Sequence, residues 1–120
     1  MSNPQTIQIF TTQIANGVGA ICKTVERAEK VETEPVVIQI AGTWESVTVK
    51  PQISLDGGTT FNNSQVVKSD GTLADIVITA DALFALNIVS GAQFTLIVSG
   101  VGGTPPDLDA WARGNIVLVA

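Results

Sequence analysis

The chain has 120 residues, 45% of them hydrophobic and only 14% charged, and eleven acidic side chains against six basic ones give a net charge of −5. This composition excludes a disordered chain, the acidic balance disfavours nucleic acid as a partner, and no apolar run approaches the roughly 20 residues of a membrane-spanning helix. One domain over residues 1–120 is expected, with a surface drawn mainly from Thr, Ser, Asn, Gln and Gly, as in β-proteins. The lone Cys22 permits no internal disulfide and no leader is visible after Met1, so folding in a reducing cytoplasm is expected.

Residues 1–5 read as a loose polar tail, and residues 6–13, alternating at Ile7 and Ile9, as a first strand ahead of an Asn16-Gly17 turn. Ile21, Lys23, Val25 and Arg27 alternate with period two. Ile21, Val25, Ala28 and the Glu26/Lys30 pair also suit a helix, and the flanking Gly17 and Gly19 favour the strand. Residues 26–34 mix both charge signs without apolar periodicity, the pattern of a solvated hairpin loop or an exposed edge. Pro35 opens a strand over 36–40, Gly42-Thr43 is a connection, and Trp44 begins a strand over 44–55 that Pro51 marks as a sheet edge or a bulge.

Further on, 62–64 read as a polar loop, 65–68 as a short strand, Asp70-Gly71 as a turn and 73–79 as another strand. Residues 81–86 break the alternation and suggest one helical turn capped by Thr79 or Asp81, or a loop plugging the end of a sandwich. A nearly continuous apolar strand over 92–99 surrounds Phe94, Leu96 and Val98. A Gly/Pro loop from Gly100 then continues through Asp107, Leu108, Asp109 and Trp111 to a last strand over 114–119. About eight short strands at turn spacing indicate an all-β fold, an antiparallel β-sandwich of jelly-roll type.

The most specific stretch is Ser54-Leu55-Asp56-Gly57-Gly58-Thr59-Thr60-Phe61, which follows apolar residues at Val47, Val49, Ile53 and Leu55. Asp56 can bond its own backbone, Gly57 and Gly58 can take positive φ, and Phe61 can fold back as a lid, so a structural hairpin is expected. Ser54, Asp56, Gly58, Thr60 and Phe61 fill the positions of S-x-D-x-G-x-T-[W/F] and so resemble the Asp-box of sialidase-like propellers. The resemblance implies a folding element remote from any active site. A single copy in so short a chain does not make a propeller.

No catalytic constellation stands out. Without histidine there is no Ser-His-Asp triad, and no zinc site can be built from one Cys. Asp56 with Asp70 or Asp75 could be proposed as a glycosidase pair, but nothing in the spacing selects them. Asp107 and Asp109 outline a calcium half-site, against which stands their reading as solvated loop carboxylates, because calcium takes roughly six to eight oxygens. Cys22, on a predicted strand, reads as a buried, inert thiol. The expectation is therefore no enzyme, no cofactor and no metal.

Trp44 reads as packing over the hairpin, whereas Trp111 in its loop suits a partner contact as well as the core. Arg113 could pin that loop by pairing with Asp107 or Asp109, or could contact a partner. The apolar C-terminal strand 115–120 needs cover from its own sheet or from another subunit.

The arrangement Val37-Ile38-Gln39-Ile40-Ala41-Gly42-Thr43-Trp44, then Val47-Thr48-Val49, then Ser54 to Phe61, with Arg113 before the last strand, resembles small β-sandwich virion proteins of tailed bacteriophages. The resemblance covers residues 36–120. It implies a capsid decoration (cement) protein made in the host cytoplasm and carried on the capsid surface, binding the major capsid protein, often as a homotrimer. A tail, neck or baseplate module, or a glycan-binding fibre module, is the alternative.

Overall fold

Apolar and polar residues alternate along most of this chain, and strands follow from that alternation. The computed structural model describes residues 4–25 and 33–120. Its strands are β1 (Gln5–Gln13), β2 (Gly17–Val18), β3 (Cys22–Thr24), β4 (Thr33–Thr43), β5 (Thr48–Ser54) and β6 (Asn62–Asn63). They continue with β7 (Gln65–Val67), β8 (Leu73–Asp75), β9 (Ala82–Val89), β10 (Gln93–Ser99), β11 (Asp107–Gly114) and β12 (Ile116–Leu118). The protein is all-β, with no helix among the described residues.

One antiparallel sheet has the order β1-β11-β4-β9, and a second runs β12-β3-β10-β5-β6. The strands β2 and β3 share one side of β10, and the gap between them is closed by the Gly19 and Ala20 carbonyls, which accept from Thr95 Oγ1 at 3.1 and 3.0 Å. That is why Thr95 is buried in a strand of apolar neighbours.

The sheets face each other as a β-sandwich. Val36, Ile38 and Ile40 of β4, Ile88 of β9 and Leu108 of β11 pack in one core with Cys22, Phe94, Leu96, Val98 and Val49 of the second sheet. Full burial of each large apolar side chain contributes about 1.5–3 kcal/mol. On one flank β1 is bulged and the Ile9 carbonyl accepts from Ala20 N at 3.0 Å, which ties the sheets together. On the other flank β9 is the last strand of its sheet among the described residues.

Pro51 sits on a patchwork edge of β5: its carbonyl accepts from Ser64 N, and two residues earlier Val49 makes an isolated bridge to Ile78. A residue without an N–H is tolerated where the ladder is already broken. The pair β7-β8 forms a small sheet of its own, joined to this edge through Ser64 and Ile76.

Several expectations need correction. Residues 82–86 are neither helix nor plug but the first part of β9, and over this stretch both faces are apolar, so no alternation shows. Asp81 caps the chain reversal before β5, accepting from Gly42 N at 3.1 Å and Trp44 Nε1 at 2.8 Å. Gly42 and Thr43 are the end of β4, and Trp44 lies in a turn closed by Val47 N on the Trp44 carbonyl. Gly42, at φ 142°, is required there, because a Cβ would lie 2.0 Å from the Asp107 carbonyl oxygen.

The long loop stops before Asp107, and the last strand is Ile116–Leu118. Asn62–Asn63 is a strand, β8 ends at Asp75, and twelve strands rather than eight are seen among the described residues. Gln5 already pairs with Gly114, so the tail is shorter than expected. Cys22 and Thr24, rather than Ile21 and Val25, carry the fully buried face of β3. Glu34 is buried at the start of β4, whereas the rest of the expected charged loop, residues 26–32, and residues 1–3 of the expected tail lie outside the described residues.

Candidate interaction surface

The outward face of the four-stranded sheet is a surface that the core does not use. Cross-strand register sets two rows on it: Thr6, Arg113, Val37 and Ala85 in one, and Gln8, Trp111, Gln39 and Leu83 in the next. Leu83 is 70% exposed and Val37 43%, and register sets them beside Ala85, so the apolar exposure here is contiguous and not a single surface residue. Trp111 lies half-buried between the two glutamines. Amides, a hydroxyl and one guanidinium rim an apolar strip, the composition of a contact surface.

Four residues singled out from the sequence come together on this face. Asp107, Asp109, Trp111 and Arg113 occupy alternate positions of β11 and therefore share one side of it. Their roles differ from expectation, since Arg113 pairs with neither carboxylate and its Nη1 donates to Thr6 Oγ1 at 2.8 Å. Asp109 accepts from Thr12 N at 2.9 Å, where the bulge in β1 puts Thr12 at φ 49°. Asp109 is thus a brace for the bulge, while Trp111, Arg113 and the exposed Asp107 remain the contact candidates. Among the described residues no three His, Cys, Asp or Glu side chains gather as a metal site.

The octet forms the expected hairpin. Gln52 pairs with Asn63 and Ile53 with Asn62, and Gly57 and Gly58 take φ values of 77° and 93°. Ser54 Oγ donates to Asp56 Oδ1 at 2.7 Å and accepts from Gly58 N at 3.0 Å, while Thr60 N donates to Asp56 Oδ1 at 2.9 Å. The Thr60 backbone bond, followed by the Ser54 hydroxyl, pulls the Asp56 carboxyl down from 3.8 to about 2. Phe61 is half-buried, but Leu55 is 74% exposed, because Ser54 is the buried residue where the strand turns over.

The other carboxylates named as an acid–base pair are also held locally. Asp70 is lowered by Thr72, whose hydroxyl donates at 2.6 Å. Asp75 is lowered by Gln65 first, then by Lys50 and Asn63. A general acid at neutral pH needs a raised carboxyl, and these three are all moved the other way. Burial pushes the Cys22 thiol up to about 11, which keeps it protonated and unreactive.

Beside the hairpin is an open groove of about 500 Å³, lined by Ile53, Leu55, Thr60, Asn62, Ser64 and Val89 among others. It carries no aromatic side chain. The sequence reading missed Leu83, Ala85 and Val37, although apolar residues at both parities of 82–89 signal a strand with an outer face to cover. No family model matches the chain, and neither the curated proteins nor the solved structures searched contain a match.

Proposed function

We propose that this protein is a non-enzymatic structural component of a tailed-phage virion, a capsid decoration protein that binds the major capsid protein at the outer surface of the shell. The observation that carries the reading is the outward sheet face, where exposed Leu83 and Val37 lie beside Trp111 and Arg113. Trp and Arg are the side chains that most often anchor interfaces. The locally committed carboxylates and the absence of histidine add support, as does the resemblance of residues 36–120 to virion sandwiches.

The mechanism is mass action. A subunit that binds the assembled shell and not its free subunits adds its binding free energy to the shell's stability, and symmetric copies gain avidity from modest contacts. Cosedimentation with empty and expanded capsids tests this, and the protein should pellet with expanded capsids and raise the temperature at which they come apart. Trp111→Ala should weaken that binding by about 2 kcal/mol, roughly 30-fold. Failure to bind any capsid overturns the reading.

The groove beside the hairpin favours a second reading, a tail, baseplate or fibre module that binds a glycan, since Thr60, Asn62, Asn63 and Ser64 offer hydroxyls and amides there. Binding on a glycan array that Asn62→Ala abolishes would establish it in place of the first.

A further inference from the structure

The hairpin β7-β8 projects from the molecule with its middle bare. Residues 65–73 are all exposed, with Val67 at 71%, Leu73 at 63% and Val66 at 48%. A two-stranded hairpin alone in water is marginal, yet both ends of this one are fixed. At the root Asp75 accepts from Gln65, Asn63 and Lys50 at 3.0, 3.0 and 3.3 Å, which fastens the arm to β5 and β6. At the tip Thr72 N and Oγ1 donate to Asp70, Gly71 takes φ 86°, and Lys68 N bonds the Thr72 carbonyl. The arm is held in shape and direction while its apolar residues touch water.

An uncovered acceptor lies elsewhere on the same chain. No described strand pairs with the far side of β9. The Val89 carbonyl turns away from β4 to accept from Thr24 Oγ1 at 2.9 Å and Ala92 N at 3.0 Å. Backbone groups alternate sides along a strand, so the N–H and C=O groups of Leu83, Ala85 and Asn87 also point away from β4. Exposed edges are usually blunted by charge, proline or a bulge. The sequence of β9, ALFALNIV, has neither charge nor proline, and its register with β4 is unbroken from Thr33/Val89 to Ile40/Ala82.

We propose that the β7-β8 arm of one copy docks on the free edge of β9 in a second copy, continuing its sheet and covering Leu83 with Val67 and Leu73. The occupant is a second copy because donor and acceptor match in kind: the arm is apolar at Val66, Val67, Leu73 and Ala74, with its charges Lys68, Asp70 and Asp75 confined to tip and root, and β9 carries no charge at all, so no like-charge repulsion opposes their pairing on a chain of net charge −5. Each copy then has one arm and one edge, so assembly is a head-to-tail ring or a reciprocal pair. The contact is small, so association depends on concentration. It goes beyond the capsid reading and needs no capsid.

Sedimentation equilibrium from micromolar to millimolar protein tests it. The wild type should shift from monomer to a defined oligomer, whereas Val67→Lys/Leu73→Lys, altered in the arm, and Ala85→Lys, altered at the edge, should each stay monomeric. Mixed in equal amounts, the two variants should form a one-to-one pair, because one keeps an intact edge and the other an intact arm. That pair also shows that both variants fold. A wild type that stays monomeric, an arm variant that still self-associates through β9 edges, or a mixture that stays monomeric overturns the proposal. Ala85 lies in the same row as Val37 and Arg113 on the face proposed to meet the capsid, so the arm variant, whose changes lie off that face, separates the two readings: it should lose self-association and still cosediment with capsids.

Discussion

Two hairpins follow each other in this chain and are built alike at their turns, yet they differ in everything around them. In the 54–61 hairpin an aspartate accepts from a threonine four residues on, and in the 65–75 arm another accepts from a threonine two residues on. The first has a buried serine wired into its turn, a half-buried Phe61 and one exposed apolar side chain, Leu55, whereas the second shows water three, Val66, Val67 and Leu73. A turn that satisfies itself supports the fold. A turn whose apolar neighbours stay uncovered points outward to a partner.

Substitutions should separate the two. The largest effect on folding is expected from Ser54→Ala, which removes the acceptor of Gly58 N and a donor to Asp56 from a buried position. Leaving such a group unsatisfied costs about 1–3 kcal/mol, read as a lower denaturant midpoint with an unchanged slope. Gly58→Ala should follow at about 1–2 kcal/mol, because Gly58 sits at φ 93° and a Cβ would meet the flexible end of Gln93 at 2.6 Å.

Acid should sharpen the contrast further. A carboxylate whose folded value lies below its unfolded one adds stability that is complete above the unfolded value and is lost as pH falls through the folded value. Asp56, lowered from 3.8 to about 2, therefore holds its hairpin fully above about pH 4 and releases it between there and about pH 2. In Asp56→Asn the fall in melting temperature over that window should be shallower than in wild type. Some slope should remain, since Asp70 and Asp75 are lowered too. The smallest effect on folding is expected in the arm, where Val67→Ser or Leu73→Ser should change monomer stability by no more than about 0.5 kcal/mol while abolishing self-association.

The sequence carried the box hairpin plainly, because every bond in it is made within a few residues of Asp56. It also carried the core of β4 and β10, where apolar and polar residues alternate or a continuous apolar run needs cover on both sides. It hid β9 and β11 for opposite reasons. In β9 the outward Leu83, Ala85 and Val89 erase the alternation, whereas in β11 the inward Ala110 and Ala112 are too small to stand out beside Trp111. The contact face was half legible. Trp111 and Arg113 stood out by residue type, but only long-range register sets them beside Val37, Ala85 and Leu83. The arm was read as two strands and a turn, and local pattern does not tell that its Val66, Val67 and Leu73 stay exposed among the described residues.

Amide hydrogen exchange of the wild type at low and high protein concentration tests the difference between the hairpins most directly. Gly58 and Thr60 should be protected equally at both concentrations, whereas the amides of Val67 and Leu73, which alternate with the bonded Lys68/Thr72 pair and face away from the arm's own ladder, and of Leu83, Ala85 and Asn87 should exchange fast when dilute and slow together on assembly. Protection of Val67, Leu73, Leu83, Ala85 and Asn87 that is strong when dilute and indifferent to concentration would contradict the account.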